Sequence, residues 1–351
     1  MASASVIFDA GVLAVPPIDG PSSDAHRYVE SLLNWVRLLE EPWIAICMSE
    51  GAPEALYTDG LYPMWPQLKQ LFSRHGIVEY DVNTVVTVIE HLLRQTPSFE
   101  TYFRVQDVLT EHVSTEPDVL QLCAGDHLQA ELERCLVLLA ILRRHCGSSI
   151  LENAFIVREA PGHSILVRAL VHGFDHYRED IKGALPTPPE FFEGNVLVCD
   201  DFSGLLNCID EGKVLSCAED DAGVEIAIRI ALHKSRLARH VEPDWDGISG
   251  IRLGGTFGKL MRRCCSDAPS SVTVAALRSA CEAIDRQNLR AVHALRVGSG
   301  GNAPQRLRAR DGAKAWRRDI DYEYHLYYWE MADGTIEFAS MVVHNDFSIP
   351  E

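Results

Sequence analysis

Long hydrophobic runs are missing from this chain of 351 residues. No stretch approaches the ~20 apolar residues that a membrane span requires, so no membrane partner is expected. The densest run, residues 135–142, has the length of a buried helix segment. The opening residues MASASVIFDAG carry no basic group ahead of the apolar ones. No secretory leader is therefore expected, and a cytoplasmic location follows by default. CxxC pairs are also missing: of ten cysteines only Cys264 and Cys265 are close neighbours. Reduced core thiols are expected rather than a zinc site or a disulfide framework. Internal repeats and low-complexity tracts are absent.

Positive charge is scarce overall but not locally. The net charge is −18, which taken alone argues against a nucleic-acid binder. Residues 251–318, however, hold fourteen Lys and Arg against four acids. Such a polarised chain carries the electrostatic footprint of phosphate binding in one module, or of a basic segment docked on its own acids.

Apolar periodicity predicts a buried strand over residues 5–15, a helix over 26–40 and a second strand over 43–48. Helices follow over 65–75, 82–95 and 128–145, with a short strand at 155–157. The alternation predicts an acidic α/β N-terminal domain over residues 1–185. Adjacent prolines in residues 185–190 mark a linker. A connecting α+β region is expected over 191–268, with a strand at 195–199 and a helix at 222–240. A smaller basic α+β domain is expected over 269–351, opening with an amphipathic helix over 272–292.

Residues 324–345 carry the most specific pattern. Asp333-Gly334 between two β-rich runs signals a two-residue hairpin turn. That register opposes Trp329 with Phe338, Tyr327 with Ser340, His325 with Val342 and Glu323 with His344. Alternation then sets His325, His344, Glu323 and Tyr327 on one face, with the imidazoles as diagonal neighbours. Leu326, Tyr328, Ala339 and Met341 form an apolar face toward the preceding helix. Two imidazoles beside a carboxylate suit metal-free RNA cleavage, in which the substrate's own 2′-hydroxyl attacks and proton transfers control the rate. Arg318 and Arg317 are placed to meet phosphate bidentately. Arg296, Arg306, Arg308, Arg310 and Lys314 are candidate backbone contacts for nucleic acid, RNA being favoured.

Residues 272–346 resemble the RelE superfamily of small toxin ribonucleases. The likeness rests on the helix, His293-Ala-Leu-Arg296, Ala315-Trp-Arg-Arg-Asp-Ile320, Tyr324-His-Leu-Tyr-Tyr328, Asp333-Gly-Thr-Ile336 and His344. It covers a fifth of the chain, and His325 stands where the family usually has arginine. The resemblance implies a barnase/RelE-like antiparallel sheet, RNA cleavage and control by a partner. A toxin or antiphage-defence role is expected, with no cofactor and with a protein partner or homo-oligomer. A non-catalytic nucleic-acid-binding or scaffold subunit of a larger complex is the competing expectation.

The strand containing Asp9 is similar to the opening strand of PIN-like nucleases. That likeness offers an alternative: Asp9, Glu50 and Asp126 gathering Mg²⁺ or Mn²⁺. Weaker patterns are His172 and His176 at helical spacing, Asp201 with Glu211 and Lys213, and the glycines at 254–258.

Overall fold

The computed structural model describes residues 3–39, 41–147, 151, 153–157, 162–181, 187–242, 245, 248, 251–267, 269–298, 303–344 and 348–351. Part of the expected 185–190 linker lies outside these residues, as do Gly247 and Asn345. The chain divides into two compact units, Met1–Cys208 and Ile209–Glu351. The boundary is not at the prolines, because the strand that follows them belongs to the first sheet. Residues 209–268, expected as a separate connecting region, fold with the C-terminal strands.

In the first unit β1 (Ala4–Phe8) leads through α1 (Ser22–Leu39) to β2 (Ile44–Met48). Four helices follow: α2 (Ala52–Thr58), α3 (Trp65–His75), α4 (Val82–Gln95) and α5 (Phe99–Phe103). Then come β3 (Val105–Glu116), α6 (Asp126–His145), β4 (Ala154–Val157), β5 (Ser164–His176), β6 (Glu190–Cys199) and α7 (Phe202–Cys208). The sheet order is β2-β1-β4-β6-β5-β3. β2, β1, β4 and β6 are parallel, while β5 and β3 add antiparallel strands at one side. Central strands covered on both faces need no alternation, and β1 and β4 are buried at every position. α6 packs its fully buried 136–142 stretch beneath β5 and β6.

β1 is shorter than the strand expected over 5–15. It stops at Phe8, where the Asp9 carboxylate accepts a hydrogen bond from Gly11 N (3.0 Å) and starts a 3₁₀ turn at Ala10–Leu13. β3 and β5 escaped the sequence reading. Their charged residues face out along a long antiparallel ribbon, and its register shifts blur the period-two pattern. His172 and His176 therefore lie on a strand, not a helix. His172 sits beside Glu111 (3.4 Å), and the His176 ring stacks on Phe174.

The second unit begins with α8 (Glu211–Ser216) and α9 (Asp221–Ala238), the latter capped by Asp220, which accepts from Gly223 N. Glu211 and Lys213 thus occupy a helix, and Glu211 pairs with Lys234 (2.6 Å). Next come β7 (Arg252–Leu253), α10 (Phe257–Asp267), α11 (Ser270–Ile284), β8 (Val292–Ala294), β9 (Lys314–Asp319), β10 (Tyr324–Glu330) and β11 (Ile336–Val343). β8 to β11 form an antiparallel meander, with β7 parallel to β11 at its edge. The helix expected to reach residue 292 ends at Ile284. Arg286 and Asn288 adopt left-handed backbone (φ 51 and 46), and the chain turns into β8.

The hairpin departs from the expected turn. Only Gly334 has positive φ (84), and its N–H donates to the Met331 carbonyl (3.0 Å). The loop is therefore three residues, 332–334, ending in a left-handed glycine. Trp329 consequently opposes Glu337, not Phe338. An extra residue, Ala339, bulges β11 and restores the expected pairs Tyr327–Ser340 and His325–Val342. Gly334→Ala is expected to destabilise the protein by about 1–2 kcal/mol, the cost of a left-handed non-glycine residue. A Cβ there would also meet Arg286 Nη2 at 2.9 Å. A urea midpoint checks it.

One face of this sheet receives α10 and α11: Phe257 stacks on Phe338 (5.2 Å), and Leu326, Tyr328 and Met341 are buried. The opposite face was expected to be open. Over most of its area it is a second core, in which Tyr327, Trp329, Ala315 and Leu295 pack with Ile349. Trp329 Nε1 donates to the Pro350 carbonyl (2.8 Å), so the last residues lie across it.

Candidate functional site

Among the described residues, what remains accessible on that second face is one corner, and the ladder registers define it. His293 on β8 pairs with Arg317 on β9. Two residues along β9, Asp319 pairs with His325 on β10, which pairs in turn with Val342 on β11. His344 lies two residues beyond Val342, and its N–H donates to the Glu323 carbonyl (2.6 Å). Alternation puts His293, Arg317, Asp319, His325 and His344 on the same side. The side chains meet accordingly. Asp319 Oδ2 is 2.9 Å from His293 Nε2, and Asp319 Oδ1 approaches His325 Nδ1 at 3.1 Å and Arg317 Nε at 3.2 Å. His325 Nε2 lies 3.0 Å from His344 Nδ1.

The line Asp319–His325–His344 is thus carboxylate, buried imidazole, exposed imidazole. His325 is 4 % exposed. Burial, with the Arg317 charge second, pulls its pKa below the usual histidine value, against the opposing pull of Asp319. His325 is accordingly neutral near pH 7. In the tautomer that carries its proton on Nδ1, His325 Nε2 accepts from His344 Nδ1–H. His344 then keeps its lone pair on Nε2, the arrangement a general base requires.

Because folding lowers the His325 pKa, the unfolded chain binds the proton first. Stability contributed by this residue is complete above about pH 6.5. It is lost as pH falls through the lower folded value. Urea midpoints at decreasing pH should show this loss, and His325→Asn should lessen it.

No protein-family model, curated protein or solved structure matches this chain.

Several residues expected at the site are elsewhere. Arg318 points to the helix face, opposite Arg317, as neighbours on a strand must. It is fully buried, donating to the Gln287 carbonyl (2.9 Å) and paired with Glu282. Tyr327 is sealed in the second core. Arg308 is 1 % exposed, held by Asp311 (2.6 Å) and Glu337 (2.6 Å) with its guanidinium over the Trp329 ring. Arg310 also reaches Glu337 (3.0 Å), and Arg296 donates to the Ala303 carbonyl (2.5 Å). Much of the basic segment's charge thus meets acids of the same unit. Arg306 is half-buried, while Lys314 and Glu323 are exposed. His293 and Asp319 were not singled out from sequence; pairing β8 and β9 in register would have found them.

The alternative metal ligands are not assembled. Asp9 caps the 3₁₀ turn, Glu50 N donates to Glu100 Oε2 (3.0 Å), and Asp126 sits in the exposed first turn of α6. Among the described residues no three carboxylate, imidazole or thiolate groups converge to hold a metal ion. None of the ten cysteines is in a disulfide, and burial raises the pKa of Cys281 to about 12 and of Cys265 to about 11. Such thiols are poor nucleophiles.

Proposed function

We propose that the second unit cleaves RNA by metal-independent proton transfer at the His344 corner. A toxin or defence ribonuclease is the class this suggests. The observation that carries the reading is the line of contacts from Asp319 through buried His325 to exposed His344. His344 Nε2 would take the proton of the ribose 2′-hydroxyl as that oxygen attacks the adjacent phosphate. Glu323, whose carbonyl accepts from the His344 N–H, would donate a proton to the leaving 5′-oxygen. Arg317 lies near enough to His325 to lower its pKa, and supplies positive charge at the corner. The meander that follows α11 agrees with the element order of RelE-like ribonucleases.

The test is a labelled single-stranded RNA beside the same oligonucleotide with one 2′-deoxy position, each with and without EDTA. Cleavage that survives EDTA and stops at the deoxy position supports the proposal. Metal-dependent cutting, or cutting of the deoxy linkage, overturns it. Binding that weakens steeply with salt and never cuts would leave a nucleic-acid-binding subunit.

A further inference from the structure

The first unit holds a cavity of about 970 Å³ with no role in the chemistry above. It opens beyond the carboxyl ends of β1, β4 and β6, among Asp9, Val157, Asp200 and Asp201. From β1 the chain crosses to β2 on one side, while β4 lies on the other. Open α/β sheets bind ligands at such a reversal of strand order, because the loops diverge there and leave a crevice. The volume is at the upper end for a small-molecule site.

The walls describe the ligand. α1 presents Arg27, Glu30, Ser31 and Asn34, spaced to share one helical face. Asp9 is 5 % exposed, whereas Glu30, Asp200 and Asp201 lie exposed. Four carboxylates thus line the cavity with one guanidinium, so the field inside favours a cation. A point charge fits this lining poorly: the acids belong to three separate elements, and no three of them converge on a metal position. A molecule with several separated positive charges can reach several of them through charge-assisted hydrogen bonds. The side chains of Trp35, Val12 and Leu122 supply apolar wall for the methylenes between those charges.

We infer that this cavity binds a linear polyamine. The inference is independent of the ribonuclease reading, since it involves no residue of the second unit.

Calorimetric titration of the full chain with spermidine at low ionic strength tests it. Saturable one-to-one binding is expected, weakened at least tenfold in Glu30→Gln/Asp200→Asn. Glu90→Gln/Glu133→Gln removes the same charge away from the cavity and should leave affinity within twofold. Magnesium chloride at matched ionic strength should not compete. If circular dichroism shows the first double variant unfolded, Glu30→Gln alone decides, with a loss of threefold or more. No saturable binding overturns the inference, as does equal weakening in both variant pairs or displacement by magnesium.

Discussion

Arg318→Met should lower the unfolding free energy by about 3 kcal/mol, within the range seen when one partner of a buried ion pair is removed. The guanidinium is fully enclosed, and the partner left behind, Glu282, is 21 % exposed. Partial access to water sets the effect at the low end of that range. The Gln287 carbonyl would lose its donor as well. Combining Arg318→Met with Glu282→Leu should recover at least half of the loss, because no uncompensated charge then remains. Urea unfolding of the single and double variants measures both terms. The same variant separates structure from chemistry. If Arg318 only holds the sheet to α11, RNA cleavage per folded molecule is unchanged; a specific loss of cleavage would restore the phosphate-binding role that its sequence position suggests.

The other large effect concerns His344. His344→Ala should reduce RNA cleavage by about 10²–10⁴-fold, the usual worth of a positioned general base. Its stability cost should be small, since the residue is exposed. His325→Asn and Asp319→Asn act through His344 as positioning changes. They should lower the rate less and shift the pH dependence of cleavage, a response that simple loss of folded protein does not produce. Single-turnover rates across pH, corrected for folded fraction, distinguish these cases. Unaltered cleavage in His344→Ala would remove the corner from the mechanism.

Element identity was largely legible in the sequence where periodicity was strong. α3 and α4 match their expected bounds, because an apolar stripe at helical spacing has no competing explanation. The long ribbon of β3 and β5 was not legible, since long-range pairing rather than local preference makes those strands. At the corner, the expected adjacency of His325 and His344 is found, but through a different route. The turn is longer by one residue, and Ala339 compensates. The burial of Tyr327, Arg308 and Arg318 could not be read from composition. Whether a guanidinium meets a phosphate or a neighbouring carboxylate depends on which acids folding brings beside it, here Glu282, Asp311 and Glu337.

The irregular turn and the irregular strand are therefore a balanced pair. Each displaces the facing chain by one position, and the displacements cancel before Ser340. Ala339 has no partner on β10, so its deletion would leave Phe338 opposite Tyr328 and Ser340 opposite Tyr327, and the imidazoles would stay in contact. A one-residue slip of β11 beyond the bulge would instead turn every later side chain to the other face and carry His344 away from His325.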